Sequence, residues 1–386
     1  MKKPHILAVH LLNDRSGSPL VLRQSLEVLA HAGYAIDLLT ATPGAPGFLS
    51  DLSGVTTHAL PYRWSASAWR TLLNFARVQW LLFWKVLKMT TADSTVYVNT
   101  LLPAGAALAA RCRGARVVYH LHEVSLRPAL LRRVLCAVAS RTAHQVLHVS
   151  EHVHTALALP LPVARQVVVH NALAPAFMAQ ASRMPLPRRS PGPFVVLMAC
   201  SLRDYKGIPE FIVLARAMPE LLFELVLNAA PAAVIRYRNQ VSVPNNLTLF
   251  PAAHDMHPHY RRAAVVVNLS RPDEWVETFG MTILEALSYG RPVIVPPVGG
   301  VAEVNVHTQT GFAINGRNLA ALQQALGLLA NNSACYVRMA TAARQRAAAF
   351  APGRFAGQVL ATFRAVQPVA ADLPSVLVAP GELAEA

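Results

Sequence analysis

At 386 residues the chain is too long for one ordinary hydrophobic core, so two domains are expected. Apolar residues make up 53% and charged residues 14%, yet no apolar run reaches the ~18–20 uncharged residues that a spanning helix needs. Lys and Arg number 35 against 20 Asp and Glu, a net charge of +15 that suits an anionic ligand or surface. Nucleic acid is not expected as a partner, because the basic residues are scattered and no stacking or base-reading module accompanies them. Cys112, Cys136, Cys200 and Cys335 form no CxxC pair. Each lies beside apolar residues, as buried reduced thiols do, which argues against a disulfide framework or a zinc site.

In chain order, Met1–His10 pairs two lysines with a short apolar stretch, but Asn13-Asp14-Arg15 follows at once and no small-residue cleavage site appears. It reads as a first buried strand of a cytoplasmic protein. Strands are expected at His5–His10, Ile36–Thr40, Thr95–Asn99, Arg116–His122, Gln145–Val149 and Gln166–His170. Helices are expected at Pro19–Ala32, Ala104–Arg113 and Ala129–Arg141. Strands rich in Val, Ile and Leu without polar alternation belong to parallel sheets buried on both faces, and their alternation with helices indicates a doubly wound α/β domain. Residues 1–174 form this first domain, 175–192 a Pro-rich linker, and 193–350 a second domain of the same architecture. Its strands are expected at Phe194–Ala199, Glu224–Asn228, Leu247–Phe250, Ala264–Leu269, Pro292–Val295 and Gly311–Ile314, with helices at Leu319–Ala330 and Cys335–Phe350. Residues 351–366 are read as a helix returning toward the first domain, and 367–386 as a tail. Two such domains facing each other leave a cleft where ligands bind.

Tyr62–Met89 carries Trp64, Trp69, Trp80 and Trp84 among Arg63, Arg70, Arg77, Lys85 and Lys88. Aromatic and basic residues on an otherwise apolar helix suit a bilayer interface, and a peripheral position on the cytoplasmic face of a membrane is expected. The competing reading is a core helix whose basic side chains snorkel outward. His144, His148 and His152 are four apart, but Gln145–Val149 reads as a strand, so no metal site is expected there.

The stretch Val267–Val295 is the richest in chemistry. A strand gives way to a polar loop running to Glu277, and a helix starts near Phe279-Gly280 and ends at Gly290. The free N–H groups and positive dipole end of a helix starting at a sheet edge suit a diphosphate. Gly280 lets a ligand approach the backbone. Glu285, about one turn in, can accept two hydroxyl hydrogen bonds of the kind a ribose diol offers. Taken alone, Glu277 and Glu285 are equally readable as a first-turn acid and a surface acid.

Two glutamates eight apart around Phe-Gly, followed by Glu-Ala-Leu, a small turn, Gly-Arg and Pro-Val-Ile, resemble the signature of glycosyltransferase family 4. The resemblance is close over Val195–Ile314 and looser over the first domain. It implies the GT-B fold, with an acceptor-binding first domain and a nucleotide-sugar-binding second one. It also implies a retaining, metal-independent glycosyltransferase that moves a sugar from an NDP-sugar to a glycan or lipid-linked acceptor. By the same resemblance Glu277 contacts the donor sugar, Glu285 holds the ribose, and Phe279, Gly280, Met281 and Thr282 form the turn around phosphates and sugar. Met198–Gly207 resembles the family's phosphate-binding turn, with Lys206 present but Ser201 where an arginine is usual and Cys200 where a glycine is. Arg203, or a neutral hydrogen bond from Ser201, is expected to compensate.

In the first domain His122, followed by Glu123, matches the family's histidine near donor sugar and acceptor; His120 shares its face. Gly17 keeps half of a paired-glycine feature. No Asp-x-Asp occurs, so neither metal nor other cofactor is expected. Two alternatives stand beside this reading: a nucleotide-sugar epimerase or hydrolase of the same fold, and an inactive nucleotide-sugar-binding scaffold.

Overall fold

The computed structural model describes residues 3–42, 44, 46–63, 65, 67–186 and 192–367. The chain divides into two compact units, one running to Ala172 and resuming at Pro352, the other spanning Leu173–Ala351.

The first unit contains β1 (His5–Leu12), α1 (Gly17–His31), β2 (Ala35–Ala41), β3 (Val55–Ala59), α2 (Ala68–Met89), β4 (Thr95–Asn99), α3 (Ala104–Cys112), β5 (Arg116–Leu121), α4 (Ala129–Thr142), β6 (Gln145–His148), α5 (Glu151–Leu157) and β7 (Gln166–Val168). Its seven strands pair in parallel in the order β3-β2-β1-β4-β5-β6-β7. β1, β4 and β5 are apolar almost throughout and buried on both faces, as central parallel strands must be. The order reverses between β1 and β4, and the loops leaving those two strands meet at that switch point.

The second unit contains α6 (Pro175–Ser182), β8 (Val195–Ser201), α7 (Ile208–Ala217), β9 (Leu222–Asn228), α8 (Pro231–Gln240), β10 (Leu247–Phe250), α9 (His257–Arg262), β11 (Val265–Val267), α10 (Met281–Ser288), β12 (Val293–Val295), α11 (Gly300–Val304), β13 (Gly311–Ala313), α12 (Leu319–Asn331) and α13 (Ser333–Ala348). Its parallel order is β10-β9-β8-β11-β12-β13, with the switch point between β8 and β11. The last helix, α14 (Pro352–Val366), packs in the first unit, where Phe363 sets its ring edge against Tyr97, centroids 5.0 Å apart.

The expected doubly wound α/β architecture is present in both units. The short strand β3 was not anticipated, because Val55-Thr56-Thr57-His58-Ala59 is a half-exposed edge strand without an apolar run. Residues 175–192, read as a linker, begin with α6, which belongs to the second unit. Residues 187–191 of that stretch, 368–386 of the tail, and Trp64 lie outside the described residues. All four cysteines are free thiols; Cys112, expected to be buried, is exposed at the last turn of α3.

Candidate functional site

At the switch point of the second unit, β8 ends at Ser201 and the chain makes a tight turn before α7. Gly207 has φ +85°, and a methyl there would stand 2.2 Å from the Leu269 carbonyl oxygen. Only glycine lets this turn lie against the segment that leaves β11. The Tyr205 carbonyl accepts from the Arg271 N–H at 2.8 Å, tying the two loops together. Lys206 is thereby aimed across the sheet edge and donates to Glu277 Oε1. Its ammonium lies 4.9 Å from the Trp275 ring centroid, and Trp275 stacks on Tyr205 at 5.5 Å. Lys206 and Glu277 are 12% and 20% exposed, so the pair is sheltered but reachable.

The other charges of this loop are committed elsewhere. Arg271 Nε donates to Glu210 Oε1 at 2.7 Å and its Nη1 to Glu274 Oε1 at 3.0 Å, while Arg317 bridges Asp273 and Glu274. Glu277 is therefore the carboxylate left facing Lys206. Burial pushes the Cys200 thiol up to about 12, so the residue at the usual glycine position adds no charge. Ser201 is half-buried at the strand end and Arg203 is exposed.

Gly280, φ +94°, caps α10, and Met281 and Thr282 contribute the first helical N–H groups, which have no carbonyl a turn earlier to accept them. Phe279 is buried against Phe350, ring centroids 5.7 Å apart, so at this position a ligand meets backbone rather than ring. Glu285 projects from α10 and accepts from the Tyr260 hydroxyl of α9. Burial raises its carboxyl to about 7, with the Tyr260 bond opposing the rise. The basic residue of the motif, Arg291, is structural: it donates to the Tyr260 and Arg261 carbonyls at the end of α9.

At the switch point of the first unit, His122 leaves β5 with Nε2 2.9 Å from Asn99 Oδ1. Asn99, at the end of β4, donates through Nδ2 to the Ser18 carbonyl at 3.2 Å and to His10 Nδ1 at 3.1 Å. Gly17, expected in a loop, is the first residue of α1, and this helix start and His122 belong to one network. A side chain at Gly17 would meet nothing within 4 Å, so local packing does not require glycine there. Burial, and then the neighbouring His120 and His10, hold the His122 imidazole well below its usual range. Glu123 turns inward, accepting from the Leu101 N–H at 3.0 Å. His120 bonds the Tyr97 hydroxyl at 2.7 Å and is fully buried, a core histidine. His144 lies in the turn between α4 and β6, His148 on β6 and His152 on α5; His144 Nδ1 accepts from the Val117 N–H, and His148 Nε2 pairs with Gln166.

The family model described as glycosyl transferases group 1 matches residues 193–332. Anabaena HepE, solved with UDP-glucose, superposes with a TM-score of 0.74 at 19% identity, covering 94% of this chain and 100% of that one. A trehalose-6-phosphate synthase studied for glycosyl transfer with retention gives 0.71 at 12% identity, covering 94% and 99%.

The chain has the GT-B fold, and residues 193–332 of its second unit match the glycosyl transferases group 1 model.

The D-inositol 3-phosphate glycosyltransferase of Streptomyces avermitilis is 31% identical over 134 residues, 35% of this chain and 26% of that protein. The match thus spans about a quarter of the length of that curated relative. Several residues that shape the candidate site escaped the sequence reading. Gly299 and Gly300 cradle the loop before α10: a methyl on Gly300 would stand 1.9 Å from the Thr278 carbonyl oxygen, and the Gly300 N–H donates to the Glu277 carbonyl at 2.8 Å. Tyr260, Trp275 and, in the first unit, Asn99 were also missed. The paired glycines after Pro296-Pro297-Val298 were a signal of close backbone approach; Tyr260 and Asn99 carried none.

Proposed function

We propose that this chain is a retaining glycosyltransferase that moves a sugar from an NDP-sugar to a glycan or lipid-linked acceptor without a metal ion. The observation that carries the reading is the Lys206–Glu277 pair beside the open N-terminus of α10, at the switch point of a group 1 domain. Lys206 and the Met281 and Thr282 N–H groups supply the positive charge that a departing diphosphate needs, so no metal is called on for that role. Ser201 adds a neutral donor and Arg203 a mobile cation from the rim. Glu285, ionised, accepts two ribose hydroxyls. Glu277, held by Lys206 until the donor arrives, orients the donor sugar. HepE was solved with UDP and with UDP-glucose, which makes a uridine diphosphate sugar the first donor to try.

The first unit takes the acceptor. His122, kept neutral and fixed by Asn99, accepts or donates one hydrogen bond without bringing a charge. Retention follows from a front-face displacement in which a leaving phosphate oxygen deprotonates the acceptor hydroxyl; the trehalose-6-phosphate synthase neighbour supports retention as the outcome to look for. Tyr62–Met89 would bring this unit to a membrane carrying the acceptor. The test is product analysis by NMR with candidate NDP-sugars in the presence of EDTA. An α-linked product from an α-linked donor is expected; an inverted product, or sugar-nucleotide turnover without any acceptor, would overturn the reading.

A further inference from the structure

Large apolar side chains lie exposed along one helical layer of the first unit. On α2, Trp69, Leu73, Trp80 and Trp84 recur at helical spacing along one face and are 76%, 67%, 64% and 45% exposed. The opposite face is already used. Val78, Leu82 and Val86, four apart, are fully buried, and α2 lies so close to α3 that a methyl on Gly105 would stand 2.3 Å from the Gln79 carbonyl oxygen. One side of α2 therefore packs in the core, as the alternative reading expected, while the tryptophan stripe is an outer surface. On the other side of α3, α4 presents Leu130 and Val134, four apart and 71% and 51% exposed.

The same layer is strongly cationic. Residues 60–142 hold twelve Lys and Arg against two acids, Asp93 and Glu123, and the Glu123 carboxylate is turned onto backbone N–H groups. Arg70, Arg77 and Lys88 are exposed on α2 and Arg133 on α4. Beside the first turns of α2 a cavity of about 360 Å³ is lined by Arg63, Arg77, Asn74, Tyr62 and Thr42. No carboxylate among the described residues pairs with Arg63 or Arg77.

An apolar stripe of this size calls for a partner. Tryptophans edged by cations and almost free of acids match an anionic bilayer, whose headgroup level takes the rings and whose phosphates take the cations. The helices would lie on the bilayer, since no helix among the described residues is long and apolar enough to cross one. We infer that the α2–α3–α4 face docks on an anionic lipid bilayer, with Arg63 and Arg77 receiving a headgroup phosphate in the cavity between them. This inference deepens the membrane contact proposed above but is independent of the chemistry at Glu277, so a donor-site variant would still dock.

The test is co-sedimentation of the full chain with vesicles of phosphatidylcholine alone or with phosphatidylglycerol added. Binding is expected only with phosphatidylglycerol and is expected to fall at high salt. W80Q/W84Q should bind roughly tenfold more weakly. R63Q/R77Q should lose about 25-fold, at about fivefold per cation. Ile235→Gln, an exposed apolar change on α8 of the second unit, should bind like the parent, and circular dichroism should report the same fold for all. Failure of the parent chain to bind anionic vesicles, or equal binding by W80Q/W84Q, would overturn the inference. So would lipid-free self-association abolished by W80Q/W84Q, because the stripe would then be covered by a second copy.

Discussion

Lys206 and Glu277 form a sheltered ion pair, Glu277 lying on the loop that enters α10, and each substitution should have a distinct signature. Lys206→Ala removes a charge-assisted donor to the diphosphate, with an expected loss of about 1.5–3 kcal/mol in nucleotide affinity, measurable by calorimetry. Glu277→Ala should leave nucleoside diphosphate affinity within a few fold while turnover falls by at least about tenfold; undiminished turnover would remove Glu277 from the mechanism. Glu285 makes a pH prediction. Its carboxyl sits at about 7 in the folded chain against an ordinary 4.5, because of burial. The folded state therefore holds its proton where the unfolded chain releases it, and this contribution to stability, full below pH 4.5, is lost as pH rises through 7. Melting curves of Glu285→Gln and the parent should agree most closely near pH 4.5 and diverge toward pH 8, with the parent the less stable. Nucleotide affinity of the parent should rise over the upper part of that window, as the carboxylate proposed to accept the ribose hydroxyls ionises. Glu277 and Glu285 were visible in the sequence because their spacing around Phe279-Gly280 is local, and Lys206 because it precedes Gly207 in the turn after a strand. Tyr260 was not, because its pairing with Glu285 spans 25 residues and leaves no periodic trace.

At the scale of elements, the site depends on turns that only glycine can make. The Glu277 and Thr278 carbonyls lie against Gly299 and Gly300, so the loop before α10 is positioned by the loop before α11. Gly207→Ala forces a side chain at φ +85° and into Leu269; the conformational strain alone is about 1–3 kcal/mol. The expected outcome is a lower melting temperature together with weakened nucleotide binding, since Lys206 moves with the turn. Asn99 plays the positioning part in the first unit, linking the ends of β1, β4 and β5 and the start of α1. Asn99→Ala should lower kcat with little change in KM for the donor and alter the pH profile by releasing the His122 imidazole, whereas a purely structural loss would lower the melting temperature alone. The strands and most helices were legible because buried parallel strands write themselves as apolar runs. The edge strand β3 and the helix α6 were not, since one is half-exposed and the other starts in a Pro-containing segment read as linker. His122 was legible, but its tether was not: Asn99 is 23 residues away and reads as an ordinary strand end.

For the whole molecule, both units present their candidate residues at the switch point of a parallel sheet: Gly17, Asn99 and His122 in one, Ser201, Lys206 and Glu277 in the other. The composition is explained in part by where the charge lies, since eight of the twelve basic residues of 60–142 are on α2, α3 and α4, the helical layer that carries the exposed tryptophans. The nucleotide site proposed for the second unit would work without a metal ion and with Ser201 where glycosyltransferase family 4 usually has an arginine. It is tested most directly by thermal denaturation of the full chain in EDTA with UDP, GDP, ADP, dTDP and CMP in turn. One nucleoside diphosphate should raise the melting temperature, by a stabilisation of about 2.7 kcal/mol at 100 times its Kd, and at the same concentration the shift should be less than about half as large in Lys206→Ala and reduced in Glu285→Ala. A well-folded chain that shifts with none of them would contradict the account and leave a GT-B scaffold that no longer holds a donor.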